Sequence, residues 1–127
     1  AYSWVLFENK TPLFNEKIEA WPNGPVVPSL YRDLRDYGNA PISDEFLKIQ
    51  NQTELDTFLN KFPIEIKKTI DDVYEKYMTK TAFELVVLTH SELPWIAARE
   101  GLEPTEYSNV NISDADIKQA YVSQTKE

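Results

Sequence analysis

Few residues in this chain of 127 could carry chemistry. The only histidine, His90, is followed by Ser91 and Glu92. Consecutive positions at a helix end point in different directions, so the three do not converge as a nucleophile, base and acid. No Gly-x-Ser-x-Gly elbow accompanies them. A structural role for His90, with its ring making a buried hydrogen bond, is the better reading. With no cysteine, thiol catalysis, disulfides and thiolate metal sites are excluded. One histidine and no cysteine do not make a zinc site. The pair Asp71 and Asp72 and the trio Glu106, Asp114 and Asp116 could offer oxygens to calcium, but no glycine-containing ligand loop accompanies them. Helix surfaces and helix N-termini account for these acids. Three glycines in all cannot build a phosphate-cradling loop, and Gly24 precedes Pro25, which has no amide proton for an anion. The expectation is a protein without a catalytic centre, a metal or a cofactor.

What remains is recognition through surface. The net charge is −8 and the isoelectric point about 4.7. Such a surface repels a nucleic-acid backbone and suits solubility or a basic protein partner. Trp21 and Trp95 read first as core anchors, although tryptophan and tyrosine are also common anchors of protein-binding grooves. No apolar run approaches the roughly 20 residues needed to span a bilayer. No basic segment followed by an apolar one marks a signal peptide. The absence of cysteine fits a reducing cytoplasm.

The elements that must position these residues are mostly helical. Hydrophobic residues make up 42% and aromatics 13%, which allows one domain with a packed core. Ala1 to Phe7 reads as the end of an amphipathic helix, broken by Asn9-Lys10-Thr11-Pro12. Leu13 to Trp21 reads as extended, so a short β-strand pair is expected near residues 13–21. Glu19 to Tyr31 holds three prolines, a glycine and a tryptophan. It reads as a stiff, buried connector rather than regular structure. Pro28 then opens a helix through Leu30, Tyr31, Leu34 and Tyr37, stopped by Gly38. Asn39 to Gln52 is a polar loop around Phe46 and Leu47. Thr53 caps a helix with Leu55, Phe58, Leu59 and Phe62 on one face. Pro63 starts another, with Ile66, Ile70, Val73, Tyr74 and Tyr77 turned inward. Thr81 and Glu84 form a capping box for Phe83–His90, a helix apolar nearly all round that belongs at the centre of the fold. Pro94 starts a short helix ended by Gly101, and Ser113 caps a last one carrying Ile117, Ala120 and Tyr121. The fold class is mainly α, a single domain over residues 1–127.

Two phrases resemble a known family. Glu19-Ala20-Trp21-Pro22-Asn23-Gly24-Pro25-Val26-Val27-Pro28-Ser29-Leu30-Tyr31 is similar to the first signature of the Panacea domain. Leu88-Thr89-His90-Ser91-Glu92-Leu93-Pro94-Trp95-Ile96-Ala97-Ala98 is similar to the second. Their order and the gap of roughly 60 residues also match, and Tyr77, Thr81, Ala82, Glu84 and Leu85 resemble the approach to the second phrase. The likeness runs from Ala1 to about Tyr121. Family members usually begin with a further helical segment ahead of the position of Tyr2, so a native start further upstream is expected.

The resemblance implies a helical antitoxin that neutralises a cognate protein toxin by direct binding. An alternative within the family is a phage or mobile-element adaptor that binds a host protein or delivers its partner to a cytoplasmic protease. It also implies that Glu19, Trp21, Gly24, Pro25, Val26, Pro28, Tyr31, Thr89, His90, Pro94 and Trp95 are signature residues that hold the scaffold. Trp21 and Pro25 are then expected to pack close to the His90–Trp95 segment. Partner choice is expected on less patterned surface, such as Asn39–Gln52 or Tyr107–Ile112.

Overall fold

A computed structural model describes residues 2–125, so Ala1 in the opening helix and the last two residues of the 1–127 span lie outside the described residues. Seven α-helices and one two-stranded antiparallel sheet form the regular structure among them, a mainly α fold. Helix α1 (Tyr2–Asn9) turns Val5 and Leu6 into the core. It stops at Lys10, whose φ of 64° lies in the left-handed region. Strands β1 (Glu19–Trp21) and β2 (Gly24–Val26) follow, then α2 (Pro28–Leu34), which runs into a 3-10 turn at Arg35–Tyr37. Gly38 ends that turn at φ 55°. A second 3-10 turn occupies Asp44–Leu47, inside the expected polar loop.

Helices α3 (Gln52–Leu59), α4 (Ile64–Tyr77), α5 (Ala82–His90), α6 (Leu93–Ala98) and α7 (Asp114–Thr125) complete the chain. The Thr81–Glu84 capping box forms in full at the start of α5. Ser113 Oγ accepts the Asp116 N–H at 3.1 Å at the start of α7. Helix α3 is capped by Asn51, not Thr53: its Oδ1 accepts the Glu54 N–H at 2.9 Å. Asparagine is at least as good a cap, and its position brings the Glu54 amide within reach.

The strand pair lies at 19–26 rather than 13–21, and Leu13–Lys17 is irregular. The stretch read as a connector is a tight hairpin with Glu19 opposite Val26, Ala20 opposite Pro25 and Trp21 opposite Gly24. Pro22 and Asn23 make its turn. Pro22 fixes φ near −65° and Asn23 has no positive φ, so the type II turn and the primed hairpin turns are excluded. Without a primed turn the strands splay, which fits their three-residue length. Pro25 is tolerated because it faces Ala20, whose own backbone groups point away from β2. The Ala20 N–H donates to the Val110 carbonyl at 2.9 Å and the Ala20 carbonyl accepts from Arg99 at 2.9 Å. At this register the missing amide proton of proline costs the ladder nothing. Val110–Ile112 lies along the other edge of β1, with the Ile112 N–H donating to Ile18 at 2.8 Å.

The core sits where α1 packs against α4 and α7, and α6 packs against α7. Leu6, Ala20, Ile112, Ile117 and Tyr121 form its buried cluster, with Trp4, Phe7 and Trp95 packed on it. Trp4 meets Tyr121 edge-on at 4.6 Å between ring centroids, and its Nε1–H donates to the Tyr77 hydroxyl at 3.3 Å. On α4, Ile66, Ile70, Val73 and Tyr77 are half-buried as expected, but Tyr74 is exposed. A larger departure is α5. It has no buried residue, and Phe83 is 74% exposed. Its main packing is against β2 and α6, so an apolar helix expected at the centre lies at the surface with one face half-buried.

Candidate protein-binding surface

The two phrases of the sequence meet across the hairpin. The Trp95 indole N–H donates to the Trp21 carbonyl at 2.9 Å. The His90 ring stacks on Trp95 with centroids 3.9 Å apart and 9° between planes. Gly24 is buried at φ 132°, and a Cβ built there would stand 3.5 Å from Thr89 Oγ1. The Thr89 hydroxyl itself donates to the Val86 carbonyl at 3.1 Å. Pro25, Thr89, Pro94 and Trp95 help line a cavity of about 100 Å³ between the phrases. Pro28 and Pro94 each occupy the first turn of a helix, where a missing amide proton is harmless. Trp21 and Pro25 thus lie against the His90–Trp95 segment. The His90 ring is packed flat on Trp95, but the buried hydrogen bond expected of it is not made at Nε2, which has no partner.

Strand alternation separates two faces here. Ala20 points into the core with no exposure, while Glu19 and Trp21 point the other way. The Trp21 Nε1–H donates to Glu19 Oε1 at 3.0 Å, which fixes the indole over its own strand. Tyr31 lies 4.9 Å and Tyr107 6.1 Å from Trp21, measured between ring centroids. Trp21 is half-buried and stands outside the core cluster, while Tyr31 and Tyr107 are 49% and 67% exposed. Val26, across from Glu19, lines an open groove of about 490 Å³ with Leu30, Tyr31 and Leu34.

Arg99 ties this face to the chain beyond it, and the sequence reading missed it. It is 5% exposed, yet its guanidinium meets carbonyls rather than a carboxylate. Nη1 donates to Ala20 at 2.9 Å, and Nη2 to Glu103 at 2.9 Å and Glu106 at 2.7 Å. Its carbon Cζ lies 5.4 Å from the Trp95 ring centre. The available signal was isolation: Arg99 is the only lysine or arginine between Lys80 and Lys118. From Thr81 to Ile117 the chain has seven carboxylates against that one cation, so this stretch holds six of the eight net negative charges. Tyr107 is exposed as expected, but Ser108 and Ile112 are buried and Val110–Ile112 runs beside β1, so Tyr107–Ile112 is not a free loop.

Among the described residues no group of three or more His, Asp or Glu could hold a metal, and no helix is long and apolar enough to cross a membrane. Large apolar side chains are instead abundant at the surface. Fifteen described ones are exposed by 38% or more, against six buried hydrophobic residues. The chain exposes 9409 Å². A compact monomer of this mass exposes roughly 6,900 Å².

No curated protein and no solved structure matches the chain. A family model does, over residues 1–96. The match contains the hairpin, the whole first phrase and the second phrase as far as Ile96, and stops three residues short of Arg99. The chain belongs to the antitoxin SocA-like, Panacea domain family.

Proposed function

We propose that this protein is a non-enzymatic antitoxin that neutralises a protein toxin by covering it. The observation that carries this reading is the incompletely buried apolar surface. Six buried hydrophobic residues against fifteen exposed large ones describe a chain with apolar area left for a partner. Its surface exceeds that of a compact monomer by about 2,500 Å², and a stable interface needs only about 800 Å² from each side. The family supplies the class of partner, since antitoxins act on toxins. The acidic balance supports a basic one: association is steered by opposite charge, and a basic nucleic-acid-binding face is a natural target.

The test is genetic and then biochemical. The neighbouring gene product, expressed alone, is expected to stop growth. Co-expression with this protein restores growth, and the two co-purify. A harmless neighbour that does not bind refutes the reading. Recovery of a host protease or replication protein, with no toxin, favours the phage or mobile-element adaptor instead.

A further inference from the structure

We infer that the Tyr31–Trp21–Tyr107 cluster and the acidic Glu100–Glu106 turn form one docking site for an arginine-bearing face of a basic protein partner. The inference deepens the antitoxin reading and rests on it for the partner's identity. Three independent observations converge on the site. The first is geometric. The Trp21 ring contacts both Tyr31 and Tyr107, the two tyrosines are 49% and 67% exposed, and the indole is fixed by its N–H bond to Glu19 while the Trp95 indole pins the Trp21 backbone carbonyl. Rigid aromatic rings presented to solvent lose little entropy on binding and are the usual anchors of an interface.

The second observation is charge. Glu100, Glu103 and Glu106 are exposed. The nearest cation along the chain, Arg99, is buried under three carbonyls and gives them no surface counter-charge. Glu19 adds a further carboxylate beside the indole. A guanidinium can lie flat on an aromatic ring while its N–H groups reach a carboxylate, which makes arginine a better fit than lysine. The third observation is rigidity. Arg99 bolts the Glu103–Glu106 turn to Ala20 of β1, so the carboxylates and the rings share one frame. The Glu106 carboxylate also accepts the Glu103 N–H at 3.0 Å, which closes the turn on itself.

The test uses the full chain and the purified product of the neighbouring gene. Tyr107→Ala is expected to weaken binding by tenfold or more, as truncation of an anchor does. Glu100→Lys with Glu103→Lys is expected to weaken it at least tenfold and to reduce the loss of affinity between about 50 and 200 mM salt. Ile64→Ser, at a 79% exposed position at the start of α4, serves as the control and is expected to stay within twofold. All four positions are exposed, and unchanged thermal melts verify the fold. Wild-type affinity in both site variants overturns the inference and leaves the antitoxin reading intact. A neighbour that does not bind the wild type sinks the antitoxin reading. The site is then judged with a ten-residue peptide of alternating arginine and leucine, followed through the Trp21 indole N–H resonance. A shift that Tyr107→Ala abolishes, and that a glutamate–leucine peptide does not produce, supports the site. No shift at about 1 mM peptide, the weak end of measurable affinity, overturns it.

Discussion

Arg99 is the residue whose loss the fold should feel most. Replacing it with alanine leaves three carbonyls without their donor, but the three are not equal. Ala20 has no exposure, so its carbonyl cannot turn to water and is left unpaired at a cost of about 1–3 kcal/mol. Glu103 and Glu106 belong to an exposed turn, where water takes over, and each is worth about 0.5–1 kcal/mol. The guanidinium over Trp95 adds about 0.5–2 kcal/mol. Against these stands the cost of keeping a cation out of water, which the substitution relieves. The balance is a loss of about 2–4 kcal/mol, a large share of the 5–15 kcal/mol that holds a typical domain.

Urea unfolding, followed by far-ultraviolet ellipticity and tryptophan fluorescence, measures this directly. With a slope of about 1.5 kcal/mol per molar, the midpoint for Arg99→Ala moves down by roughly 1.3–2.7 M. Arg99→Met separates the causes. It restores the apolar arm and leaves the Ala20 carbonyl unpaired, so a loss of about 1–3 kcal/mol persists. An Arg99→Met protein within about 0.5 kcal/mol of wild type would refute the reasoning, because packing rather than the carbonyl clip would then be the contribution.

Two further outcomes are expected. Gly24→Ala destabilises by about 1–3 kcal/mol through its φ of 132°, not through crowding, since the new methyl meets Thr89 Oγ1 at an ordinary contact distance of 3.5 Å; a loss below about 0.5 kcal/mol in the same urea assay contradicts this. Alkaline stability should fail through two tyrosines. Burial, then the Glu92 carboxylate, pushes the Tyr121 phenol up to about 12, and burial, then the hydrogen bond to Asp114, does the same for Tyr2. Both start from 10.0, so the unfolded chain ionises first and stability, constant below that pH, falls as pH rises from 10 toward 12. Thermal melts across that window should drop steeply for the wild type and less steeply for Tyr121→Phe; equal slopes would remove Tyr121 from the explanation.

Local signals in the sequence carried well where the physics is local. The capping box at Thr81 and Glu84, the stop at Gly38 and the first-turn prolines Pro28 and Pro94 each depend on a few neighbouring residues, and each sits where its spacing placed it. The hairpin was misplaced because a proline seemed to forbid a strand. Whether Pro25 harms a ladder depends on which way Ala20 points, and that is decided by Val110 and Arg99, far along the chain. The same non-locality hid Arg99, whose partners lie at Ala20 and in the turn that follows.

The misreading of α5 is of another kind and bears on function. An apolar circumference says that a helix is to be covered, not by what. Cover from the chain's own core is the simplest expectation, but here Phe83 and Val87 stand exposed. The residues recognised as signature divide in the same way. Gly24, Thr89, Pro94 and Trp95 face one another across the hairpin, whereas Tyr31 turns outward onto Trp21. A motif read only as scaffold therefore contributes a ring to the surface that we infer to be the docking site. Mutations in the first group should cost stability before binding, and Tyr31→Ala should cost binding before stability. A Tyr31→Ala variant that unfolds in proportion to its loss of affinity would return the whole motif to the scaffold.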